Sequence, residues 1–167
     1  MSIHRAVKMY DYHVWANRRV FNHLKQQPEK IFNNQIQGVF PSISAVLVHM
    51  YMVEMAWLET MKGNLYEAIS QKIKQKTVEL NGQPLEVVEA AFETLAEDFH
   101  RFLAGEEDLE RVIEVEHPHY GRSKFALADI IHHLANHGTY HRGHISAMSH
   151  QQGEKGASTD YIFFVEE

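Results

Sequence analysis

The chain has 167 residues, 44% hydrophobic and 23% charged, which is the balance of a soluble globular protein and a length suited to one domain with a single core, residues 1–167. Its formal net charge of −6 argues against a nucleic-acid role, which would need a basic stripe, and fits a small-molecule substrate. With no cysteine, neither a disulfide framework nor a thiolate metal site can exist, so any metal must be held by His, Asp, Glu or water. The segment from Met1 to Lys8 lacks the apolar run of a signal peptide, and no stretch approaches the ~20 apolar residues that cross a bilayer. A cytoplasmic protein without a membrane partner is expected.

From about Ile3 to Gln27, Val7, Tyr10, Val14, Ala16, Phe21 and Leu24 recur at roughly helical spacing, and Pro28 ends the run. A polar connection leads to Ser42, which has the chemistry of a helix N-cap. A second helix is predicted to reach about Met61, with Ile43, Val46, Leu47, Met50, Val53, Trp57 and Leu58 apolar and Gly63-Asn64 as the stop. Leu65 to Gly82 reads as a solvated connection containing Lys72 to Lys76. Asn81 to Pro84 is turn chemistry before a third helix, Leu85 to Leu103, closed by Gly105. Arg111 to His117 alternates weakly, as a strand does, and Tyr120 to Ser123 offers a turn, so a small β-hairpin is expected here. A fourth helix follows from about Ala128 to Gln152. The tail, Asp160 to Val165, is apolar enough to pack on the body or on a partner subunit. Four long amphipathic segments predict an all-α fold, a four-helix bundle of the kind that builds metal sites from inward side chains.

The chemistry concentrates in the fourth helix. His137 and His141 are four residues apart and share one face. They fall where the apolar stripe through Leu127, Ile130, Ile131, Leu134, Ile145 and Met148 should continue, so two imidazoles replace two core residues. Burial of such groups is costly unless a metal ion or a water network satisfies them. His133 and His144 continue the spacing nearer the edge of the stripe, and His132 lies on another face. A catalytic metal wants a third protein ligand, and His49, at the edge of the second helix's buried face, can supply it. A hydrogen-bonded core histidine is the competing reading of His49. His117 and His119 form a His-x-His in the hairpin that would face one side of a strand. Among the 13 histidines, His4, His13, His23, His100 and His150 read as surface or half-buried. Gly138 follows His137 where a zincin motif has Glu, which disfavours a metalloprotease. Ferritin-like iron chemistry needs Glu-x-x-His pairs on two helices, and the chain does not supply them.

Several motifs together resemble the DinB (damage-inducible) family of DinB/YfiT-like metalloenzymes. They are Trp15-Ala16-Asn17, the run from Ser42 to His49 followed by Glu54, Trp57 and Leu58, the run from His137 to Gly143, and Thr159 to Ile162. The resemblance spans essentially the whole chain. It implies a bundle whose second and third helices are joined by a long crossover, a three-histidine metal site at His49, His137 and His141, and frequent homodimers. His144 departs from the Gln often found at that position, and could add a hydrogen-bond donor near the metal or a fourth ligand, or be a tolerated surface change. Related families include S-transferases that use low-molecular-weight thiols such as bacillithiol or mycothiol. The implied function is a divalent-metal enzyme, with zinc or nickel ahead of iron, acting as a thiol-dependent S-transferase on small electrophiles. The alternatives are a metal-dependent hydrolase and a non-enzymatic metal-binding stress-response protein. Arg142 and Tyr140 are candidates for substrate contact, with a structural salt bridge as the equally weighted reading of Arg142. Tyr12, Trp15 and Tyr140 are candidates for a pocket wall, though aromatic residues in a bundle are mostly core, and Glu54 and Asp129 for carboxylates near the metal, though both carboxylates suit solvated or capping positions.

Overall fold

The computed structural model describes residues 3–118 and 121–166. Four long helices carry the fold: α1 (Arg5–Leu24), α3 (Ile43–Met61), α5 (Leu85–Gly105) and α6 (Leu127–Gln151). Shorter helices are α2 (Lys30–Asn33), α4 (Tyr66–Leu80) and α7 (Tyr161–Glu166), and β1 (Val112–His117) pairs with β2 (Gly121–Ala126). The helix starts follow local chemistry. Ser42 caps α3 as expected, its hydroxyl accepting from the Ala45 amide at 3.1 Å. His4 does the same for α1, its Nδ1 accepting from the Ala6 amide at 3.2 Å.

The pairing of named residues gives the topology. His100 meets Asp11, Arg18 meets Glu93 and Lys25 meets Glu89, so α1 and α5 run antiparallel. Tyr12 meets Thr139 and Asn17 meets Arg142, so α1 and α6 run parallel. His49 meets His141 edge to face and Trp57 meets His133 in the same way, so α3 and α6 are antiparallel. It follows that α3 and α5 point the same way, and the chain between them must travel back along the bundle. That return is α4, packed on α3 and tied to it by Lys72 and Glu59 at 3.0 Å. The long crossover is therefore present.

The crossover corrects the expectation of a solvated connection. Residues 66–80 form a helix whose buried stripe is thin: Ile69 and Leu80 are buried and Ile73 is partly covered. Lys72, Lys74 and Gln75 do face solvent. Ile69, Ile73 and Leu80 stand at helical spacing, but so few apolar residues are hard to tell from chance. The single-turn α2 was also not anticipated. Gly105 ends α5 from inside its last turn.

The hairpin is antiparallel, with Val112 opposite Ala126 and His117 opposite Gly121. Arg122 and Ser123, expected in the turn, pair within β2 instead. Gly121 enters the strand with φ of 73°, a conformation that favours glycine. Tyr120 and His119 lie outside the described residues.

Tyr10, Phe21, Ile43, Leu47, Met50, Met55, Leu58, Phe99, Leu127, Ile131 and Leu134 are fully buried between the four long helices. Each such side chain contributes about 1.5–3 kcal/mol, whereas exposed pairs such as Arg18–Glu93 contribute about 0–1 kcal/mol. The apolar interior therefore dominates. The tail packs on its own chain: Tyr161 and Phe164 set their rings against Tyr12, and Phe164 also meets Trp15. Ile162, Phe163 and Val165 stay exposed. No described helix is long and apolar enough to cross a membrane.

Candidate metal centre

Three histidines from two antiparallel helices converge. One ring nitrogen each from His49, His137 and His141 lies within 4.8 Å of the others, a group able to hold a metal ion. The Nε2 atoms of His137 and His141 face each other at 3.0 Å. An ion at the ~2.0–2.1 Å of metal–imidazole bonds reaches both at that separation. The helical repeat makes the pair, because residues four apart stack on one face. The antiparallel approach of α3 then brings the His49 ring to 5.2 Å from His137 and 4.7 Å from His141, centre to centre.

The electrostatics suit a cation receptor in its neutral form. Burial, with the neighbouring His141 and His49 adding to it, pushes His137 from the ordinary 6.5 down to about 4. Burial and the nearness of His49 and His144 likewise take His141 to about 4. Burial lowers His49 as well. At neutral pH the two α6 imidazoles thus keep their lone pairs free for a metal. The same depression has a consequence for the metal-free protein. The unfolded chain takes up protons near pH 6.5, the folded chain only near 4, so this part of the stability is complete above about 6.5 and is lost as pH falls towards 4. The urea midpoint of chelator-treated protein should fall between pH 7 and pH 5. An unchanged midpoint would mean that these imidazoles are not held neutral by the fold.

Around the three rings the surroundings are aromatic. Phe40, from the loop before α3, sits 5.2 Å from His49 and 5.4 Å from His141. Nothing in the sequence singled it out. Tyr140 is well exposed and lies 5.1 Å from His141. His144 is 5.3 Å from His141 but outside the converging group, and its buried Nδ1 has no partner. His133 is exposed, 5.9 Å from His137 and against Trp57. His117 packs on Tyr66 in the hairpin, and His119 falls outside the described residues. Asp129 is exposed in the first turn of α6, where a carboxylate favours the helix dipole.

Two residues stand elsewhere than the sequence suggested. His13 is buried, not superficial, and Glu54 is buried, not solvated. They satisfy each other, with His13 Nε2 at 3.0 Å from the Glu54 carboxylate. Arg142 is buried too and bonds to Asn17 and Thr139, so its guanidinium faces α1 and is not presented to a ligand in solvent. Residue type alone hides such burial, because each group is tolerated inside through partners that include residues distant in sequence.

A family model described as the DinB family matches residues 1–167. The chain is also 39% identical over 163 residues to "Protein DinB" of Bacillus subtilis (strain 168), covering 96% of this chain and 93% of that protein.

Proposed function

The chain belongs to the DinB family, and on that premise we propose that it holds one divalent metal ion on His49, His137 and His141 and uses it as a thiol-dependent S-transferase on small electrophiles. The observation that carries the metal is the convergence of three imidazole nitrogens within 4.8 Å from two helices. Three imidazoles suit zinc or nickel and admit iron. Three protein ligands leave positions open for an exogenous group, the pattern of a catalytic site and not of a closed structural one. When bound, the ion acts as a Lewis acid that lowers the pKa of a thiol or water ligand, so that a nucleophile exists at neutral pH.

The chain's own residues orient and shield. The two α6 imidazoles are neutral at neutral pH and need lose no proton to bind. Phe40 covers one side of the group, and Tyr140 stands at the rim. Since the chain contains no cysteine, a sulfur nucleophile must come from outside as a low-molecular-weight thiol. Families related to the one the sequence resembles include thiol-dependent S-transferases, which supports that choice.

The test uses protein loaded with zinc or nickel, a chromogenic aryl halide, and bacillithiol or mycothiol. Turnover that saturates with thiol and disappears in His137→Ala is the expected result. Hydrolysis of ester or amide probes without thiol would replace the reading with that of a hydrolase. Metal binding with no turnover in either assay would leave a non-enzymatic metal-binding protein.

A further inference from the structure

The core contains a polar chain that the metal chemistry does not use. Glu54 on α3 accepts the Tyr10 hydroxyl at 2.7 Å through Oε1, and its Oε2 lies 3.0 Å from His13 Nε2. At the other nitrogen of the same ring, Nδ1 has Arg142 at 3.5 Å, a long contact. A guanidinium can only donate, so Nδ1 accepts and the ring proton sits on Nε2, directed at the carboxylate. The Asn17 amide nitrogen also approaches Nε2, at 3.0 Å. The charged carboxylate makes the stronger bond and decides the tautomer. Arg142 in turn donates to Asn17 Oδ1 at 2.9 Å and to Thr139 Oγ1 at 3.0 Å, with the Tyr12 ring 5.4 Å from its centre. Glu54, His13, Asn17 and Arg142 are all buried. Glu54 on α3 and Arg142 on α6 are thus joined through the His13 imidazole on α1.

The placement of this chain relative to the metal group is what gives it a role. Gly138 and Arg142 are four apart and follow His137 and His141 by one residue each. On α6 this makes two parallel stripes about 100° apart: one faces α1, the other faces His49 on α3. Gly138 lies against the His13 ring so closely that a Cβ there would overlap it. Apolar contacts tolerate small rotations of a helix, whereas hydrogen bonds to charged groups are directional. Pinning the Gly138–Arg142 stripe against α1 therefore fixes where the His137–His141 stripe points. Glu54 secures the same chain to α3, the helix that carries His49.

We propose that the buried Glu54–His13–Arg142 chain is the positioning device of the three-histidine site, setting the rotation of α6 so that both its imidazoles meet the His49 ring. This rests on the metal reading above. The test compares metal affinity, by chelator competition, and the visible spectrum of the cobalt-loaded protein for the parent, Glu54→Gln and Leu103→Ala. Leu103 is buried on α5, which supplies no group to either the chain or the site, so its truncation reports on stability alone. Glu54→Gln should bind cobalt on the order of 10–100-fold more weakly, as loss of groups that orient ligands does, and shift the d–d bands, while Leu103→Ala keeps the parent's affinity and spectrum. If Glu54→Gln does not fold, Asn17→Ala, which removes one acceptor from Arg142, takes the same readings. Parent-like affinity and spectrum in the folded variant overturn the proposal, as does an equal loss in Leu103→Ala. A parent that binds no cobalt overturns the metal reading itself, which separates the two failures.

Discussion

Gly138→Ala should destabilise the protein by roughly 1–3 kcal/mol, the usual cost of forcing a methyl into a packed interior. The sign is opposite to what a helix interior predicts, since alanine is favoured over glycine there by about 1 kcal/mol. Sterics decide. A Cβ at residue 138 would overlap the His13 ring and come within 2.8 Å of the Arg142 guanidinium. His13 cannot retreat without breaking its bond to Glu54, and Arg142 is held by Asn17 and Thr139. Gly143, on the same helix, supplies the internal control: it is exposed, and a Cβ there meets nothing within 4 Å. Gly143→Ala should stabilise by up to about 1 kcal/mol. Urea titration of the two variants checks both signs. If both gain stability, the close seating of α1 on α6 is wrong.

The second large effect concerns the metal. Loading with zinc or nickel should yield one ion per chain, and His49→Ala, His137→Ala and His141→Ala should each weaken binding by a hundredfold or more on an order-of-magnitude scale, beyond what loss of a merely orienting group costs. His133→Ala should retain the parent's affinity, because that ring lies outside the converging group. Stability gives a second readout. An ion at about a hundred times its dissociation constant raises the unfolding free energy by about 2.7 kcal/mol. The parent should show this shift on metal addition and the three alanine variants should not. Isothermal titration and thermal melts with and without metal read both quantities. Retention of full affinity in any one of the three variants would remove that residue from the ligand set.

The sequence made parts of this legible because short-range geometry carries them. Ser42 caps α3 for reasons contained in four residues. The His137–His141 pair is visible because a polar pair four apart interrupts an apolar stripe, and the helical repeat alone places both rings on one face. The long helices follow from their apolar periodicity to within a few residues at each end. His49 is a different case. Its position on α3 left a ligand and a hydrogen-bonded core residue both open, and family likeness favoured the former. The fold then brings its ring nitrogen into the group. The helix α4 was missed because Ile69, Ile73 and Leu80 form too sparse a stripe, and its place is settled by packing along α3 more than by its own pattern.

What the sequence by itself determined, then, is the set of amphipathic helices, the hairpin before the last of them and the His137–His141 pair sharing one face of α6, all consequences of backbone periodicity. Only the tertiary structure decided the direction of each helix, the approach of His49 and Phe40 to that pair, and the burial of His13, Glu54 and Arg142. The physical reason is that a polar side chain carries no mark of its depth. Whether Glu54 is solvated or interior depends on Tyr10 and His13, more than forty residues earlier in the chain, and Arg142 is held by Asn17, further away still. Such partners meet only after the helices have packed.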